Sequence, residues 1–273
     1  MVSMMTVVAC LITLLISLVL PIIVLVGFAA KNKKQGIVSA WLLGAAGFFV
    51  TQILIRLPIL TLLQSQSWFA VFAQNNVFFY TFGLAFTAGL FELAGRFAVA
   101  KLLEKKLTWK RSLAAGLGHG GIEAMLLIGM TYVNNLIYIA MINSGYFDTL
   151  LVQAAGLGVD TSQLELIRTQ LIDMAPAIFL LAGFERLLAM TVHTAMSVLV
   201  CYGVVHKKAG ICVLLCLGIH TLMDLTAGIS LVLPQYTAYL VIYAILTMMA
   251  AASVVILKIL RPRWTALPLH PEE

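Results

Sequence analysis

The chain has 273 residues, 62% of them hydrophobic and only 10% charged, with a mean hydropathy of +1.04 and a formal net charge of +6. So little charge cannot cover the surface of a soluble domain of this length, and a nucleic-acid footprint is excluded because there is no basic soluble surface to carry one. The four cysteines, Cys10, Cys201, Cys212 and Cys216, all fall inside apolar runs, so no disulfide framework is implied.

Runs of 18 or more mostly apolar residues recur along the chain, each long enough to cross a hydrocarbon core of about 30 Å. They are continuously apolar, which predicts helices and not the alternating strands of a barrel. Seven spans are expected: Thr6 to Ala30, Gly36 to Leu63, about Val71 to Leu103, Ser112 to Ile142, about Ile172 to Val205, Gly210 to Leu233 and Tyr236 to Leu260. The first run lacks a basic leader and is too long for a signal peptide, so it is expected as an uncleaved span. Basic clusters follow the first span (Lys31, Lys33, Lys34), the third (Lys101, Lys105, Lys106, Lys110, Arg111), the fifth (Lys207, Lys208) and the seventh (Lys258, Arg261, Arg263). By the positive-inside rule these face the cytoplasm. The expectation is an all-α integral membrane protein, a bundle of about seven transmembrane helices. Its N-terminus would lie outside and its C-terminus in the cytoplasm, in a bacterial cytoplasmic membrane. Residues 1–263 would form one polytopic domain, with catalytic helices at about 71–233, and 264–273 a short disordered tail. The stretch Asn143–Gln170 is expected as the long outer segment.

An ionised side chain at mid-span costs about 2.5–3.5 kcal/mol on the insertion scale, yet four spans carry such groups. Glu92 and Arg96 are in the third, His119 and Glu123 in the fourth, Glu185, Arg186 and His193 in the fifth, His220 and Asp224 in the sixth. Three pairs, Glu92/Arg96, His119/Glu123 and His220/Asp224, share the i, i+4 spacing that places both members on one helix face. At about 1.5 Å per residue, Glu92 and Arg96 lie about 8–14 Å in from Lys101, and His119 and Glu123 about 10–18 Å in from Arg111. By the same count His193 lies about 20 Å in from His206, and His220 and Asp224 about 16–22 Å in from Gly210. Groups at such similar depth can satisfy one another or hold a metal. Interhelical glue is the competing reading of each pair. Gly118, Gly120 and Gly121 are expected to open room beside His119. Glu185 and Arg186 are expected to be structural or at the outer rim, and Arg56 is expected to snorkel. The Cys212, Cys216, His220 ladder cannot converge on one ion, and small residues for helix packing are its simpler reading.

Zinc takes neutral imidazoles and carboxylates and, in catalytic sites, leaves a position for water. His193 and His220 are the best ligand pair. Asp224 is a third ligand or an orienting group for His220, and His119 is a further candidate. Glu92 and Glu123 are the candidates for a general base, with Arg96 holding a carboxylate ionised or binding a substrate carbonyl. The linear His-Glu-x-x-His motif is absent, since His119-Gly-Gly-Ile-Glu123 supplies only one histidine.

Phe91-Glu92-Leu93-Ala94-Gly95-Arg96, Gly118-His119-Gly120-Gly121-Ile122-Glu123-Ala124, Phe184-Glu185-Arg186 with His193 and Ser197, and His220-Thr221-Leu222-Met223-Asp224 occur in that order. Together they resemble the YhfC family of intramembrane metalloproteases, which is similar to the CAAX-protease and bacteriocin-processing superfamily and to the PrsW proteases. The resemblance implies a peptidase acting in or near the membrane. It places Glu92 at the first position of the family's paired-glutamate motif and Arg96 at the basic one. Leu93 stands where the second glutamate would be, which raises Glu123 as the base. A bound Zn2+ is implied, and a metal-free site with glutamate-activated water is the alternative chemistry.

The implied partners are a membrane-associated peptide or protein substrate and the lipid bilayer, with no nucleic acid. Two other function classes compete: a non-catalytic scaffold or chaperone that keeps the fold, and an ion-coupled transporter using buried acids as a proton relay. The chain lacks the repeated halves and broken-helix pairs typical of the latter.

Overall fold

A computed structural model describes residues 1–265. Among the described residues seven helices are long and apolar enough to cross a membrane: Met4–Lys31, Ile37–Gln64, Val77–Lys106, Trp109–Ser144, Pro176–Val205, Ala209–Leu231 and Gln235–Trp264. No strand occurs among the described residues. The expected third span is cut by Asn76, whose backbone leaves the helical region at φ −132°, ψ 51°. Its side-chain amide donates to the Phe72 carbonyl, the local competition that disfavours Asn inside helices. Ser67–Asn75 is therefore a separate short helix. The fifth span begins at Pro176, a residue suited to a first helical position because it has no N–H to satisfy.

The expected outer segment is not an open loop. It holds two helices, Tyr146–Gly156 and Ser162–Asp173. Asp160 leads into the second, accepting from the Ser162 N–H at 2.9 Å and the Ser162 hydroxyl at 3.0 Å. These bonds hold its carboxyl below the usual range. The last helix continues to Thr265, past the expected boundary at 263, and the remainder of the expected tail lies outside the described residues.

The described chain divides into two compact units, Met1–Ile23 with Ala124–Leu187, and Val24–Glu123 with the chain from Leu188 onward. In the first, Ala9, Cys10, Tyr132, Ile139, Leu171 and Phe179 form the core. Two buried hydroxyls converge on one carbonyl there: Thr13 Oγ1 and Tyr132 Oη donate to the Phe179 oxygen at 2.7 and 2.9 Å. This is the polar stitching that apolar helices without water require.

The second unit is built around the later part of the fifth span, where residues 192–200 are buried without a break. A helix covered on all sides is a core helix. Val192, Met196 and Val200 pack there with Cys216, Leu246 and Ala250. All four cysteines are free and buried, and Cys212 lies against Gly203. The second and fourth spans approach backbone to backbone. A Cβ on Gly44 would stand 1.9 Å from the Ala115 oxygen, and one on Gly118 2.0 Å from the Trp41 oxygen. Only glycine permits that approach.

Candidate active site

The second unit gathers four helices around one carboxylate oxygen. Glu92, on the third span, points Oε2 at Nε2 of His119 on the fourth (3.0 Å), at Nε2 of His220 on the sixth (2.8 Å) and at Nη2 of Arg96 one turn along its own helix (3.2 Å). Nδ1 of His193, on the fifth span, is 3.6 Å away. A carboxylate only accepts, so His119 and His220 present Nε2–H to it. Arg96 Nη2 also donates to His193 Nδ1, which leaves the His193 proton on Nε2, 3.1 Å from Glu123 Oε2. Beyond His220, Asp224 places Oδ2 at 3.3 Å from Nδ1.

Glu92, Arg96, His119, Glu123, His193 and His220 are all buried, and Asp224 is partly exposed. The rings touch: His119 stacks on His193 at 5.7 Å, and His193 meets His220 edge-on at 5.3 Å. Such burial is tolerable only because the charges pair and hydrogen-bond.

Of the seven residues expected in the site, Arg96, His119, His193 and His220 surround Glu92 directly, Glu123 adjoins His193 and Asp224 stands behind His220. The expected ligand set of His193, His220, Asp224 and His119 differs from the tightest one. Glu92, His119, Glu123 and His193 each offer a ligand atom within 4.8 Å of the others, a buried Glu/His cluster that could hold a metal ion. That donor chemistry fits a borderline divalent cation. With neutral imidazoles, Glu92 and Glu123 against Arg96 leave one negative charge in excess, which also favours a cation.

At Gly118 and Gly120 the space expected beside His119 is taken by neighbouring helices. Gly118 accommodates the Trp41 backbone, and a Cβ on Gly120 would lie 3.0 Å from His193 Cβ. These glycines bring the histidines together by close helix contact. Leu93, at the family's second glutamate position, is buried in the apolar core. Arg56 does not snorkel. It is buried and donates to the Leu84 carbonyl at 2.7 Å and to the Thr87 hydroxyl at 3.4 Å, bridging the second and third spans. Glu185 and Arg186 belong to the other unit, where they pair with each other. Sequence reasoning missed Phe48, whose fully buried ring meets His119 edge-on at 5.4 Å. One aromatic residue in an apolar run carries no signal of that role.

Residues 16–252 match the model of the YhfC intramembrane metalloprotease family. The chain is also 33% identical over 196 residues, 71% of its length and 73% of the relative's, to an uncharacterized membrane protein, YhfC, of Bacillus subtilis (strain 168). No solved structure matches it. With the family's model covering most of a chain whose spans carry this buried cluster, the protein belongs to the YhfC intramembrane metalloprotease family.

Proposed function

We propose that this protein hydrolyses a peptide bond of a membrane-associated peptide or protein, using the cluster around Glu92. The observation that carries this reading is the convergence of three imidazoles and an arginine, from four helices, on a single buried carboxylate oxygen. Interhelical glue needs one partner per polar group, whereas here one oxygen accepts from three donors, with a third imidazole 3.6 Å away.

Glu123 is the general base in this reading. Glu92 Oε2 is saturated by donors and serves to anchor and orient, whereas the Glu123 side chain, 3.1 Å from His193, is 10% exposed against 4% for Glu92. Its carboxylate takes a proton from water as the oxygen attacks the peptide carbon. It returns that proton to the amide nitrogen as the C–N bond breaks. The His193 Nε2–H facing Glu123 steadies the carboxylate before the transfer and is placed to donate to the carbonyl oxygen as it gains charge. Asp224 fixes the orientation of His220, and Arg96 that of Glu92 and His193. In the alternative, metal-bound chemistry His119, His193 and Glu92 would hold a zinc ion in place of the hydrogen bonds made by the two Nε2–H groups, and the ion when bound acidifies water and polarises a carbonyl.

Metal content tests the cofactor. Protein purified in lipid without chelators should carry about one zinc ion per chain. A His119→Ala/His193→Ala double variant that remains folded should carry none. Equal metal in both would remove the ion from this cluster and leave the metal-free glutamate chemistry.

A further inference from the structure

Behind the cluster lies a small cavity of about 10 Å³, lined by Gly44, Arg96, Val99, His119, Ser197 and Cys201 among others. All six are buried. That volume suits one water molecule. Polar atoms at this place are unsatisfied. Arg96 makes its two bonds, to Glu92 and His193, through Nη2 alone, and its Nε and Nη1 have no hydrogen-bond partner among the described residues. Ser197 Oγ, one turn beyond His193, is likewise buried with none. Its neighbour Thr194 uses the usual solution for a hydroxyl in a helix and donates to its own i−4 carbonyl, Met190, at 2.7 Å. Ser197 does not.

A guanidinium buried with two idle nitrogens is costly, because each lost bond carries the full desolvation penalty of a charged donor. Native interiors resolve such groups with ordered water. We infer that the cavity between Arg96 and Ser197 is a binding site for one water molecule, which accepts from the guanidinium and bonds the Ser197 hydroxyl. Nε and Nη1 lie on different edges of the planar fork, so one water takes one of them. The other partners of Arg96 are the groups that matter for chemistry, Glu92 and His193. Ser197 is thus a positioning residue: through the water it fixes the guanidinium, and through the guanidinium the hub carboxylate and the tautomer of His193. The apolar lining from Val99 and the close backbone contact at Gly44 restrict the site to something no larger than water.

The water site stands on geometry alone, whereas its effect on turnover rests on the peptidase reading. The test uses the full chain in lipid nanodiscs, with arginine labelled at the guanidinium nitrogens. A structure at a resolution that shows ordered water should place one within hydrogen-bond distance of Ser197 Oγ and of Nε or Nη1 of Arg96. Magnetisation should pass from that water to the Arg96 guanidinium protons. Ser197→Ala, which keeps the space and removes only the hydroxyl, should shift the Arg96 nitrogen resonances and lower peptide turnover roughly tenfold. Cys201→Ser, which adds a hydroxyl beside the same cavity, should keep the water. A dry cavity in the wild type, with Ser197 donating to the His193 carbonyl, would overturn the inference. So would Arg96 resonances identical in wild type and Ser197→Ala. If the water is present and no peptide is ever cleaved, the water site holds and the peptidase reading fails.

Discussion

Glu92 and Glu123 are the same residue type, one helix apart, and their surroundings divide their roles. Glu92 Oε2 is bound by His119, His220 and Arg96, so Glu92→Gln would replace the acceptor of three donors with a neutral amide and leave buried Arg96 without its direct carboxylate partner. Breaking a buried pair from one side costs about 3–5 kcal/mol. The variant should therefore unfold at markedly lower denaturant or temperature than wild type, as well as losing activity. Glu123→Gln should keep the fold and lose roughly 10²–10⁴-fold in turnover, the range for a general base. Melting curves measured beside turnover separate the two. Asp224→Asn should lower turnover by loosening His220 and, through it, Glu92, with little change in stability because Asp224 is partly exposed. At this scale the candidate residues were legible in the sequence. Acids and histidines in apolar spans are costly, and the i, i+4 spacing put them on shared faces. That one oxygen of Glu92 would collect the others was not legible, since it depends on how four helices rotate about their axes. Nor was the edge of Phe48 on His119, because an aromatic in an apolar span has no distinguishing feature.

The helices come together through backbone contact. Gly44→Ala and Gly118→Ala would each drive a Cβ to within about 2 Å of a carbonyl oxygen across the helix pair. Nothing flexible can give way there. Each should destabilise by at least about 1–3 kcal/mol and displace His119 from Glu92. Gly83, on the third span with nothing within 4 Å of its Cβ position, is the control: Gly83→Ala should leave stability and metal binding unchanged. Thermal melting of the three variants in one detergent checks the contrast. Glycines near His119 suggested open space to a reader of the sequence, because a missing side chain looks the same whether water or a neighbouring helix occupies its place. Asn76 and Pro176 show the same limit at element ends. Both residue types discourage helix interiors, but it is the packed fold that lets the first split an apolar run and the second open the fifth span.

For the whole molecule, the seven spans were readable from hydropathy because a bilayer imposes a minimum apolar length. The division into two compact units was not. Its boundaries, after residues 23, 123 and 187, fall inside uninterrupted apolar helices where no change of composition marks them. We propose the orientation from charge: the four basic clusters face the cytoplasm and the segment with Asp160 and Glu165 lies outside. A reporter fused after Glu273 should then behave as cytoplasmic and one inserted near Val159 as external, and the reverse pattern would overturn this orientation. The central claim is that the cluster around Glu92 hydrolyses peptide bonds. Its most direct test is mass spectrometry of a peptide library reconstituted in bilayers with wild-type protein and with Glu123→Gln protein shown to be folded. New peptide termini should form with the wild type and not with the variant. Cleavage that continues undiminished in the folded variant would contradict the assignment.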